Sequence, residues 1–160
     1  MRTKRAVIAG IAGALAMSLA MALARLMGIP ASLEAILGSV FGLQGVTGWI
    51  AGFVLHLAIG AVVAVVYAVA FEYAVQRSGP VVGAAFGLAH GLMAGLFMSA
   101  IPAMNPLVTH APSAPGPFLD NLSFGPALFL GLHVLFGMVV GLVYGAVMHR
   151  PHLMSGSRPV

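Results

Sequence analysis

The chain has no cysteine, which excludes disulfides, thiolate metal sites and cysteine nucleophiles. Charge is almost as scarce, at 6% of 160 residues, where an ordinary soluble domain carries roughly 25%. Such a chain cannot cover a water-facing surface. Only three acidic residues occur, Glu34, Glu72 and Asp120, and none falls in the interior of an apolar run. A carboxylate dyad is therefore absent, and so are a nucleophile elbow, an HExxH helix and a glycine-rich phosphate loop following a strand. No catalytic constellation is found and no enzymatic activity is expected. The seven lysines and arginines give a net charge of +4, but they form no basic patch interleaved with aromatics, so a nucleic-acid partner is not expected either.

What remains is apolar: 61% of residues are hydrophobic and the mean hydropathy is +1.07. Four long runs, 6–27, 48–71, 80–101 and 125–148, each have about the twenty residues that a helix needs to cross a hydrocarbon core of roughly 30 Å. The expected fold is all-α, a single membrane domain over 1–160 with four transmembrane helices in a bundle, and the lipid bilayer is its first partner. The first run follows Arg2, Lys4 and Arg5 and so also admits a secretory signal ending near Ala22, Leu23 and Ala24, although its apolar stretch exceeds the usual core of roughly 7 to 15 residues. Basic residues before span one, at Arg77 and at Arg150 and Arg158 fall on one side, which predicts that both termini are cytoplasmic. Arg25 stands at the opposite end, where it can snorkel or meet Glu34 or Asp120. The segment 31–42, preceded by Pro30, reads as a short amphipathic helix lying on the outer interface. The stretch 102–124 carries Pro102, Pro106, Pro112, Pro115 and Pro117 and reads as an extracytoplasmic loop.

His56, Gly60 and Tyr67 in span two return as His133, Gly137 and Tyr144 in span four at identical spacing. At 100° per residue, offsets of four and eleven positions fall about 40° and 20° from the histidine, so each set lies on one helical stripe. The register extends to Gly48 and Gly125, Leu55 and Leu132, and a run of valines. The chain thus reads as two similar helical hairpins, a parallel repeat about an axis near the membrane normal. Small residues recur every fourth position: Gly83, Gly87, Gly91, Gly95 and Ser99 in span three, and Gly137, Gly141 and Gly145 in span four, with Gly60 in span two. In lipid there is little hydrophobic drive between helices, and such stripes permit close backbone approach. Packing is their first reading, and self-association into a homo-oligomer the second.

A histidine within a hydrophobic span is costly unless it faces protein, water or a ligand. His56, His90 and His133, with Tyr67 and Tyr144, are therefore the candidate polar or ligand site. In the structural reading each imidazole is neutral and bonds a backbone carbonyl, a tyrosine hydroxyl, Ser18, Ser99 or a buried water. A second reading is a proton or solute path, since imidazole titrates in a useful range and tyrosine can relay. A third is paired b-type haem ligation by His56 and His133, weakened by the lack of cationic propionate partners. A fourth is copper or zinc on the three histidines with Met93 or Met98, without a recognised ligand spacing. No cofactor is expected ahead of these alternatives.

The series His56, Gly60, Tyr67 and Glu72, followed by a glycine-rich third span ending in Pro102 and a fourth span around His133, resembles small bacterial inner-membrane proteins of the YagU-like and related domain-of-unknown-function type. The resemblance runs over roughly 6–148 and is strongest from His56 to Glu72. It implies four spans and an inner-membrane location, and brings no reaction or cofactor; His90 stands where a Gln-like residue would be expected. The leading functional expectation is a structural or accessory membrane protein whose internal His and Tyr face specifies packing. The alternatives are a homo-oligomeric transporter or channel subunit using His56 and His133, against which the lack of a buried carboxylate counts, and a haem-binding electron carrier.

Overall fold

The computed structural model describes residues 1–97 and 125–145, and no strand occurs among them. In chain order the helices are α1 (Thr3–Leu26), α2 (Leu33–Ser39), α3 (Gly45–Val69), α4 (Pro80–Phe97) and α5 (Gly125–Tyr144). Helix α3 passes directly into a π-helical turn, Ala70–Val75, which closes at Gln76 in the left-handed conformation with φ of 53°. Four helices are long and apolar enough to cross a membrane: α1, α3 with its π turn, α4 and α5. The expected span ends 98–101 and 146–148, the Pro-rich stretch with Asp120, Ser99, Arg150 and Arg158 lie outside the described residues.

The bundle turns small and aromatic residues inward and large aliphatic residues outward. Leu19 is 63% exposed, Val62 66%, Val81 81% and Leu142 65%, whereas Ala9, Ala14, Ala64 and Ala68 are fully buried. In water that distribution would be unstable. Around a helix bundle in hydrocarbon it is the expected one, because lipid solvates the leucines and small residues let backbones meet.

Helix α1 packs between α3 and α5, and α4 packs on the other side of α5. The seam between α4 and α5 is backbone against backbone. A Cβ placed on Gly83 would strike the Gly137 carbonyl, one on Gly87 the His133 carbonyl, and one on Gly141 the Gly79 carbonyl. Gly10 of α1 is set the same way against Gly60 and Ala61 of α3. Gly95 completes the buried ridge of α4, on which only glycines are buried. Gly145 departs from the packing stripe expected for it: it follows the end of α5 with φ of 75°, and its carbonyl accepts a hydrogen bond from Ser78 Oγ at 2.6 Å. A glycine in the left-handed conformation just after a helix supplies its C-terminal cap without the penalty a Cβ would bring.

The packing is not two-fold symmetric. Helix α1 meets α5 closely, yet the corresponding pair, α3 and α4, is joined by rings: Phe86 of α4 lies 5.3 Å from Tyr67 and 5.2 Å from Phe71 between ring centroids. The α4–α5 and α1–α3 seams close at the backbone level, α1 meets α5 through Gly13 against the Phe136 ring, and the α3–α4 seam is filled with aromatic side chains.

These contacts set the expected response to bulk. Gly87→Leu should lower stability by about 3 kcal/mol or more, at or above the upper end for overpacking, while Val81→Leu at an exposed position should change it by less than about 0.5 kcal/mol. Thermal unfolding of the two variants in one detergent checks this; equal melting temperatures would contradict the backbone-contact reading of α4.

Candidate functional site

The end of the bundle opposite the N-terminus is closed by α2. Ser32 caps this helix, its Oγ accepting the Ala35 N–H at 3.3 Å, which satisfies one of the amides a helix start leaves unpaired. Glycines on both helices then let α2 settle onto α3. A Cβ on Gly38 would meet the Gly48 backbone, and one on Gly52 the Glu34 carbonyl. The result departs from a helix resting on the membrane surface: Leu33, Glu34, Leu37 and Gly38 are buried against the bundle, and the helix starts at a serine cap rather than at Pro30.

This docking carries a carboxylate indoors. Glu34 has no exposed surface. Its Oε2 accepts a hydrogen bond from Ser32 Oγ at 3.3 Å, and its buried Oε1 has no hydrogen-bond partner. Arg25 does not neutralise it through the expected ion pair; the guanidinium donates to the Ala31 carbonyl at 2.6 Å. His56 lies one helical turn beyond Gly52, within electrostatic reach of Glu34 and of His133. Its Nδ1 is 3.2 Å from Ser18 Oγ of α1, so the imidazole ties α3 to α1.

His133 on α5 is as buried as His56, each 5% exposed. Its Nδ1 lies 2.9 Å from the Phe129 carbonyl, one turn back on the same helix. A carbonyl only accepts, so Nδ1 carries the proton and a neutral His133 presents its lone pair at Nε2. Gly91 of α4 makes the room: a Cβ there would stand 2.8 Å from the His133 Cβ. The rings of His90 and His133 meet edge to face at 5.0 Å, and His90 in turn meets Tyr67 at 6.2 Å. The His90 Nδ1 and the Tyr67 hydroxyl are buried without partners.

Beyond Tyr67 the interior becomes apolar. Phe71, Phe86 and Phe136 surround its ring at 5.2 to 6.0 Å between neighbouring centroids. Polar groups resume at the end that holds the N-terminus. Tyr144 donates its hydroxyl proton to Glu72 Oε1 at 2.6 Å and accepts the Arg2 backbone N–H at 3.4 Å, and the Arg2 guanidinium lies 5.0 Å from the Tyr144 ring centroid. Glu72, expected to end span two as a simple cap, instead joins α3, α5 and the N-terminus through its position in the π turn.

The repeated residues thus separate into two groups. His56, His133 and His90, with Tyr67 beyond them, lie on the α2 side of the bundle with Glu34 and Ser18, whereas Tyr144 belongs to the end that holds the N-terminus. Spacing had already excluded contact between each tyrosine and the histidine of its own span, since eleven residues rise about 16 Å. The sequence reading passed over Glu34 as an outer-loop residue. The signal that reveals it is the set Gly38, Gly48 and Gly52, which lets a short helix approach α3 closely enough to bury whatever side chain its inner face carries.

Among the described residues no three His, Cys, Asp or Glu side chains are arranged to hold a metal ion. The His133 ring is flanked by Phe129 at 4.3 Å and His90 at 5.0 Å between centroids.

No curated protein and no solved structure matches the chain. Residues 1–155, which include every group described above, match a family of unknown function, DUF6789, and the chain belongs to that family.

Proposed function

We propose that the protein is a bacterial inner-membrane protein with both termini cytoplasmic, akin to the YagU-like proteins, and that it handles protons as a subunit of a proton-coupled transporter. The observation that carries this is Glu34: a carboxylate with no exposed surface and one unbonded oxygen stands beside His56 at the head of a file of imidazole and phenol groups. The absence of a buried carboxylate counted against a proton path in the sequence, and the docking of α2 removes that objection. Ionisable groups inside a membrane protein are expensive to keep and commonly mark proton relays.

The interruption at Phe71 and Phe86 favours a gated path over an open pore. A proton delivered to His90 or Tyr67 meets rings rather than hydrogen-bonding groups before Glu72 and Tyr144. The glycine ridges, read as a glycine zipper, and the duplication of His, Gly and Tyr would supply a tight scaffold of two related hairpins. Self-association and a solute coupled to the proton belong to the same proposal, and no enzymatic activity is assigned.

A structural role is the competing reading, favoured by one observation: His133 satisfies Nδ1 on a carbonyl of its own helix, as a packed core histidine does. Purified protein in vesicles with an imposed pH gradient separates the two. We expect gradient dissipation above that of empty vesicles, a loss of roughly tenfold in His90→Phe, and a several-fold rise in passive leak in Phe86→Ala as the apolar interruption opens. Vesicles no leakier than empty ones in all three cases would leave the column a packing device.

Orientation has its own measurement. Because the chain has no cysteine, single substitutions Leu43→Cys and Ala74→Cys give unique labels at exposed positions near opposite ends of α3. A membrane-impermeant maleimide applied to intact spheroplasts should label the first alone; labelling of the second alone would invert the proposed topology.

A further inference from the structure

The polar groups under α2 have a feature that a general proton path does not require: Glu34 is fully buried without a cation bonded to it. Its neighbours from each packed element are few. Ser32 on its own helix donates to Oε2, and Met21 of α1 accepts the N–H of the adjacent Leu33 through its sulfur at 3.4 Å. From α3 comes His56, backed by Ser18 of α1 and itself within electrostatic reach of His133 of α5. Arg25 is committed to the Ala31 carbonyl. The titratable group facing the carboxylate is therefore His56.

A bare carboxylate in such a place bears the cost of lost solvation. One proton removes the cost wherever it sits. On Glu34 it gives a neutral acid beside a neutral imidazole; on His56 it gives a carboxylate beside an imidazolium, again with no net charge. Loss of that proton leaves a net negative charge with no bonded cation. We infer that Glu34 and His56 form a single-proton exchange site at the outer end of the bundle, loaded through α2 and passing its proton inward toward His133 and His90. Ser18 is the positioning residue: its hydroxyl on Nδ1 fixes the imidazole plane and leaves Nε2 as the exchanging nitrogen. The transfer balances as one proton leaving the Glu34 carboxyl oxygen and one N–H bond forming on His56, and the reverse on reloading. This inference deepens the proton-handling reading and rests on it.

Infrared difference spectroscopy of the purified full-length protein, titrated between two buffers, reads the carboxyl directly and does not depend on transport. Only three side-chain carboxyls exist, so assignment is tractable. The wild type should show a carboxyl difference band between the two buffers that is lost in Glu34→Gln and altered in His56→Gln, because the two groups share one proton. Absence of any band that Glu34→Gln removes, or its persistence unchanged in His56→Gln, would overturn the exchange site. If the band behaves as expected while vesicles pass no protons, the site stands and the transport reading falls.

Discussion

The absence of side chains where helices cross is the constraint on which the rest of this structure depends. Lipid solvates leucine as well as another helix does, so apolar bulk alone cannot hold four spans together. Close approach can, through dispersion between backbones and weak Cα–H contacts to carbonyl oxygens. Gly83 against Gly137, Gly87 against the His133 backbone and Gly10 against Gly60 are those approaches. Each also brings a polar group to a defined depth: Gly52 admits α2 and with it Glu34, Gly91 accommodates His133, and Gly13 and Gly60 receive the Phe136 ring that walls the tyrosine and histidine rings.

From that constraint follows the asymmetry of the bundle. The α4–α5 and α1–α3 seams are backbone contacts, α1 meets α5 through Gly13 and the Phe136 ring, and the seam between α3 and α4 is filled by Tyr67, Phe71 and Phe86. Rings that pack edge to face retain much of the dispersion that a glycine seam provides, and they contribute electrostatically as well. They also fill less completely around polar atoms. The partnerless Tyr67 hydroxyl and His90 Nδ1 both lie along this aromatic seam, where an internal water would satisfy them. The aromatic seam is where motion costs least, since side chains rather than backbones must shift.

Much of the fold was legible because lipid imposes simple rules. Composition and run length pointed to four long apolar helices, which the structure contains, and His56 and His133, costly in hydrocarbon, are both buried in the bundle. The illegible parts share a cause: they depend on tertiary contact at short range. Nothing in the local pattern around Glu34 says that Gly48 and Gly52 will receive α2. A seven-residue helix carries too few turns for its periodicity to distinguish a surface-lying face from a buried one. The π turn at Ala70–Val75 was likewise invisible, because the extra residue it inserts leaves the apolar character of the span unchanged.

That turn matters for how the two ends of the molecule relate. An α-helix continued through residues 70–75 would present Glu72 about 140° around the axis from Tyr67, five residues being 500° at 100° each. The wider π turn adds less rotation per residue, about 80 to 90° at its 4.1 to 4.4 residues per turn, and so brings Glu72 closer to the side on which Tyr67 lies. Glu72 there accepts the Tyr144 hydroxyl, and Phe71 keeps its ring between Tyr67 and Tyr144 at 6.0 and 5.9 Å. The polar cluster at the N-terminal end of the bundle thus sits at an irregular turn, whereas the one under α2 owes its position to glycines facing that helix.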